Sequence, residues 1–174
     1  MAHSIELLLD QRADAAIRQL WQELAGAGLP SQLRVSSDSN RPHITLIAAE
    51  QIAPAVDGPL TDLARGLPLS VVLGAPLVFG GGGRLTFARL VVSSGALLYL
   101  HEQVYDLCRP SASNLFSHSA PGRWTPHVTL GRRLTGAQVG EALAVIDGIG
   151  ADIAASVVGL RRWDGDAKRE YPIG

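Results

Sequence analysis

The chain has 174 residues, 15 of them cationic and 16 anionic, for a formal net charge of −1. That length suits one substantial core, possibly shared by two lobes, and the near-neutral charge argues against a protein that coats nucleic acid through a global basic field. The single cysteine, Cys108, excludes an internal disulfide and a multi-cysteine metal cluster, and no apolar run reaches the length of a membrane span.

Taken in order, His3 to Leu9 reads as a strand, with Ile5, Leu7 and Leu9 alternating with more polar neighbours. His3 is expected to be a bystander. Asp10 is a good N-cap. Ala13, Ile17, Leu20, Trp21 and Leu24 then mark one face of a helix from Gln11 to Ala27, with Trp21 in the core. A short strand is expected near Leu33–Val35, and residues 36–40 form a polar loop.

Residues 41–47 read Arg-Pro-His-Ile-Thr-Leu-Ile, a strand by β-branched content. Leu60 to Leu67 suits a short helix. Leu69 to Phe79 is a long strand broken by Gly74 and Pro76, which mark a bulge or an edge. Four glycines at 80–83 are followed by another alternating strand, Arg84 to Ser93, so they form a hairpin tip and not a phosphate loop, which would need a helix next. Phe79 and Phe87 are assigned to the core.

Ala96 to Cys108 is an amphipathic helix in which His101 is structural or exposed. Residues 109–123 form the longest irregular stretch; lying just ahead of residue 125, it is a candidate substrate-covering loop. Residues 125–131 read Thr-Pro-His-Val-Thr-Leu-Gly, a second strand. Gly136 to Ile149 is a helix capped by Thr135, Ala151 to Trp163 a strand, 164–166 a turn, and Lys168 to Ile173 a closing strand.

The informative feature is the echo between residues 42–46 and 126–130. Each reads Pro-His-aliphatic-Thr-Leu. Because alternate residues of a strand share a face, His43 and Thr45 point one way while Ile44 and Leu46 point the other. His127 and Thr129 repeat the arrangement against Val128 and Leu130. One such tetrad is readily a half-buried strand with a hydrogen-bonded histidine. Two, each behind a proline, call for a chemical explanation.

The paired motifs resemble the two His-x-Thr-x signatures of the 2H phosphoesterase superfamily, closest to its 2′-5′ RNA ligase-like branch, the RNA 2′,3′-cyclic phosphodiesterases. The resemblance covers the whole chain. It implies an α+β fold that is bilobal, with two antiparallel β-sheets related by pseudo-twofold symmetry, helices packed outside and a central cleft. Residues 1–174 would be a single domain of two intertwined lobes, with one motif per lobe at 43–46 and 127–130.

The implied site has His43 and His127 as catalytic acid and base, with His43 the acid, and Thr45 and Thr129 binding phosphate. The family also carries a basic residue at the position of Arg132. Strict alternation would put Arg133 on the histidine face instead, unless Gly131 allows a bulge that re-aims Arg132. The chemistry is coherent: opening a cyclic phosphodiester needs a base for water and an acid for the departing ribose oxygen. Histidine serves either role near neutral pH, and hydroxyls can donate to the non-bridging oxygens.

The expected function is therefore metal-independent hydrolysis of a 2′,3′-cyclic phosphodiester at an RNA end or on a small cyclic nucleotide, with reverse 2′-5′ RNA ligation as a companion activity. No cofactor and no metal is expected. A cytoplasmic monomer without membrane contact is expected, since the N-terminus carries no basic-then-apolar signal. Two alternatives stand beside this reading: a non-catalytic RNA-end or nucleotide-binding module, and a metal site built on His43 and His127, which lacks acidic or cysteine ligands at suitable spacing.

Overall fold

The computed structural model of the protein describes residues 1–146 and 148–174. Its first half runs β1 (His3–Leu9), α1 (Gln11–Gly26), β2 (His43–Ile52), α2 (Asp57–Ala64), β3 (Leu69–Gly81) and β4 (Arg84–Val91). The second half runs α3 (Gly95–Cys108), β5 (Ala112–Leu115), β6 (His127–Leu134), α4 (Gly136–Val145), β7 (Ile153–Asp164) and β8 (Arg169–Ile173). Helix starts follow the expected caps: Asp10 accepts from the amides of Arg12 and Ala13, and Thr135 forms a capping box with Gln138.

Strand order is β5-β2-β1-β7-β3-β4-β6, with β8 beside β7, and every pairing is antiparallel. Without β5 and β8, the six-strand run β2-β1-β7-β3-β4-β6 reads the same after exchanging β1 with β4, β2 with β6 and β3 with β7. The lobes are thus β2-β1-β7 and β3-β4-β6, joined where Leu69–Leu73 pair with Ile153–Val157. They are intertwined: β3 follows the first motif strand yet pairs in the second lobe, and β7 does the reverse. Helices also bridge the lobes, α1 packing on β6 as well as β7 and α3 on β2 as well as β3. This is the expected α+β architecture, its two halves linked by one continuous ladder.

Several local expectations are corrected. Gln32–Arg34 is one 3-10 turn and not a strand, because the Ser31 hydroxyl caps Leu33 and the Asn40 amide donates to the carbonyls of Gln32 and Val35. The stretch 109–123 is not wholly irregular: Ala112–Leu115 pair with Ala49–Ile52 of β2, and the Ser119 hydroxyl accepts from Ala48. Helix α4 stops at Val145, four residues short of expectation, and Asp147 of that expected helix lies outside the described residues. Phe87 is in the core, but Phe79 is 40% exposed. His3 is no bystander: it is buried, with Nε2 3.3 Å from carboxylate oxygens of both Asp164 and Asp166, tying β1 to the β7–β8 turn.

Strands β2 and β6 sit near opposite ends of the strand order, yet their Cα atoms come within 8 Å. The sheet curls until its two motif strands nearly meet. Each motif strand carries a β-bulge just after its threonine. Thr45 opposes Glu6 while Ile47 opposes Ile5, and Thr129 opposes Ala88 while Gly131 opposes Phe87. The threonine carbonyls are taken up by indoles across the junction. Trp124, just before β6, donates to Thr45 O at 2.9 Å, and Trp21, on α1, donates to Thr129 O at 3.0 Å. His101 stacks flat on Trp124, ring centroids 4.0 Å apart, and Nε2 donates to Ser119 O.

The junction is tight at Gly131, where a Cβ would stand 2.3 Å from the Pro30 carbonyl oxygen. Gly131→Ala is expected to destabilise the fold by about 3 kcal/mol, read as a Tm lower by roughly 6–12 °C for a chain of this size. Trp124→Phe keeps the ring but strands the Thr45 carbonyl, for an expected loss of about 1–3 kcal/mol in urea unfolding.

Candidate active site

The curl puts the histidine faces of the two motif strands side by side. Both imidazoles are anchored in the same way. Nδ1 of His43 donates to its own Arg41 carbonyl at 2.8 Å, and Nδ1 of His127 donates to the Thr125 carbonyl at 2.7 Å. These bonds fix the tautomer, so Nε2 of each neutral ring carries the lone pair. Neither ring is sealed in the core, and His43 keeps a quarter of its side chain exposed. Phe79 packs edge-on against His127, centroids 4.8 Å apart.

Thr45 and Thr129 stand two residues on, committed through their carbonyls to the indoles. Neither hydroxyl takes a hydrogen-bond partner among the described residues, which leaves both free to donate to an anion. The bulge after Thr129 also bears on the arginine question. It breaks the strict alternation, with Gly131 buried opposite Phe87 and Arg132 exposed next to it. A second irregularity follows, where Arg133 adopts a left-handed φ of 64°. The exposed Arg132 acts on His127 electrostatically.

The electrostatics of the two rings differ. Burial chiefly lowers the His127 pKa below the ordinary histidine value, with the charges of Arg132, His43 and His118 adding to the fall against the Thr125 hydrogen bond. That shift favours the neutral ring. His43 instead faces a buried carboxylate, with Nε2 3.7 Å from Glu6 Oε1. Burial raises the Glu6 pKa, but His43, Arg161 and a hydrogen bond from Ser4 outweigh that and hold it below the usual carboxylate range. Glu6 Oε2 accepts from Arg161 Nε at 2.7 Å, and Arg161 Nη1 continues to Glu170 Oε2 at 2.6 Å and to Ser39 O at 2.7 Å.

Glu6 and Arg161 were not among the residues singled out from sequence. The signal was thin: Glu6 is the one carboxylate of its strand, and its parity means little until β1 is known to lie beside β2. A separate group of metal-competent atoms, His3, Asp164 and Asp166, lies away from the histidine pair, but the N-terminal amine already pairs with Asp166 there. Two surface cavities of about 470 and 520 Å³ lie along the β2–β5 edge and the chain start; neither is lined by His43 or His127. The arrangement at the histidines can bring a neutral imidazole, a second imidazole beside a carboxylate, two hydroxyls and a guanidinium to one small anion.

Comparison with solved structures places this fold among known ones. Apo LigT of E. coli covers 99% of this chain and 94% of its own at a TM-score of 0.57 and 16% identity. E. coli LigT complexed with 3′-AMP matches at a TM-score of 0.55 and 15% identity, covering 99% and 94%. Usb1 of Kluyveromyces marxianus matches at a TM-score of 0.54 and 12% identity, covering 99% and 98%. A search of curated proteins by sequence finds no match. The family model of the 2′-5′ RNA ligase superfamily matches residues 10–168, nearly the whole chain and both motif strands; the protein belongs to that superfamily, and so to the 2H phosphoesterases.

Proposed function

We propose that the protein is a cyclic phosphodiesterase that opens a 2′,3′-cyclic phosphodiester at an RNA end or on a nucleotide, and that it can run the chemistry in reverse as 2′-5′ RNA ligation. The observation that carries this reading is the pair of Nδ1-anchored imidazoles in unlike electrostatic settings, each with a free threonine hydroxyl on its strand. Family membership supports phosphoester chemistry in general. The structures of LigT with 3′-AMP and of Usb1 with uridine monophosphate support a nucleotide-like substrate.

In the proposed reaction, neutral His127 takes a proton from water through Nε2. The water oxygen bonds to phosphorus, the bond from phosphorus to one ribose oxygen breaks, and His43 gives that oxygen its proton. The product is a phosphomonoester beside a free ribose hydroxyl, and the two histidines have exchanged protonation states. Thr45, Thr129 and Arg132 hold the non-bridging oxygens, where negative charge accumulates. Nothing in these steps requires a metal. Among the described residues, no helix is long and apolar enough to cross a membrane. A cytoplasmic monomer is the setting we propose, in keeping with a lone buried cysteine whose thiol burial pushes up to about 12.

His43→Ala and His127→Ala are each expected to lower kcat on a nucleoside 2′,3′-cyclic phosphate by about 10²–10⁴-fold, with activity undiminished by a chelator. Near-wild-type turnover in either variant refutes the mechanism. Tight nucleotide binding with every cyclic phosphate left intact would instead favour the binding-module reading.

The pH profile carries a second prediction. A base must be neutral, so kcat/KM falls as pH drops through the His127 pKa, and that limb should lie below the ordinary histidine value of about 6.5. Arg132→Gln removes one of the cations that lower it. The acidic limb of that variant should move upward and KM should rise; an acidic limb that stays put shows that Arg132 does not act on the base.

A further inference from the structure

The pseudo-twofold that relates the lobes is broken at one place behind the histidines. In the first lobe Thr45 opposes Glu6 on β1, and Glu6 opposes Arg161 on β7. In the second lobe the corresponding row is Thr129, Ala88 on β4 and Leu77 on β3. An ion pair, 5% and 3% exposed, thus stands where the other lobe has two hydrocarbons. Buried charges are costly unless they are fully partnered, and in this row the fold meets that cost in the first lobe only.

The partnering is complete. Glu6 Oε1 accepts from the Ser4 hydroxyl at 2.6 Å, and Oε2 accepts from Arg161 Nε and Nη2, both at 2.7 Å. The carboxylate therefore has no freedom to turn. At 3.7 Å from His43 Nε2 it is too far for a hydrogen bond, yet near enough for the two groups to interact electrostatically. The other groups facing His43 are Arg161, with Nη2 3.5 Å from Nδ1, the Arg41 carbonyl, and His127 from β6. The Arg41 guanidinium is itself neutralised by Glu170 of β8 at 2.7 Å.

We infer that Glu6 is the positioning residue that makes His43 the proton donor of the pair: its clamped carboxylate holds the imidazolium beside the cleft, while the apolar row of Ala88 and Leu77 leaves His127 without such a partner. This rests on the functional reading above and gives it a direction. The two histidines are interchangeable by motif and by backbone anchor, and the residues one strand behind them are what separate acid from base. Arg161 opposes Glu6 in this respect, since its own cation beside Nδ1 disfavours a second positive charge.

The test is an NMR pH titration of the His43 and His127 rings in the full chain, with Glu6→Gln and Arg161→Gln compared with the unsubstituted protein. In Glu6→Gln the His43 midpoint should fall by about one pH unit while that of His127 stays nearly still. In Arg161→Gln the His43 midpoint should rise. A purely structural role for the ion pair would disturb both variants in the same direction. A His43 midpoint unmoved in Glu6→Gln, or shifted alike in the two variants, overturns the proposal; should Glu6→Gln fail to fold, a fall in Arg161→Gln overturns it and a rise supports it.

With a nucleoside 2′,3′-cyclic phosphate, the alkaline limb of kcat/KM should move down in Glu6→Gln, and Glu6→Asp should restore part of it; an alkaline limb unchanged in Glu6→Gln overturns the proposal. If the unsubstituted protein hydrolyses no cyclic phosphate, the functional reading fails, while the ring titrations still decide whether Glu6 sets the charge of His43.

Discussion

Two indole N–H groups carry the contact on which the rest of this structure depends. A bulge after each motif threonine releases that residue's carbonyl from its ladder, and a buried carbonyl must find another donor. Trp124 and Trp21 supply it, each from the far side of the junction. The sheet therefore curls until β2 and β6 lie alongside, although they stand near opposite ends of the strand order. Without that closure the two histidines would belong to separate surfaces. With it they lie near enough for the charge of one to act on the other, each on a strand whose threonine carbonyl helps hold the junction together.

The same junction explains why neighbouring residues have so little latitude. Pro30 presses its carbonyl onto Gly131, and Ser31 donates to the Trp21 carbonyl at 2.7 Å. His101 lies flat on Trp124 and anchors residues 116–119 through the Ser119 carbonyl. Burial lowers the His101 pKa against its backbone hydrogen bonds, so the ring is held neutral and acts as a structural plate. A stretch that is rich in Ser, Pro and Gly in sequence is thereby half pinned to β2, and His118 within it stays near enough for its charge to act on His127.

The exchange of β3 and β7 between lobes gives the arrangement its rigidity. Neither lobe completes its three strands without a strand delivered by the other half of the chain. Adjacent arginines on β7 exploit this position. Arg161 faces the site and pairs with Glu6 and Glu170, while Arg162 faces the helices and grips Asp57 of α2 with two bonds of 2.7 and 2.8 Å. Both are nearly fully buried. One strand thus ties the histidine face and the helical face of the first lobe to the centre of the sheet.

The sequence by itself determined the local elements, the two motifs and which residues of each motif share a face. Those follow from periodicities of two and 3.6, from caps such as Asp10 and Thr135, and from composition; all are properties of neighbours along the chain. Misreadings fell where a side chain overrode the pattern, as when Asn40 and Ser31 turned residues 32–34 into a helical turn. Only the tertiary structure decided that the motif strands meet, where the bulges fall in them, and that a carboxylate backs one histidine and not the other. Each of those depends on strand neighbours and bulge positions, which bring together residues as distant as Glu6 and Arg161, and the chain's local spacing carries no record of such pairings.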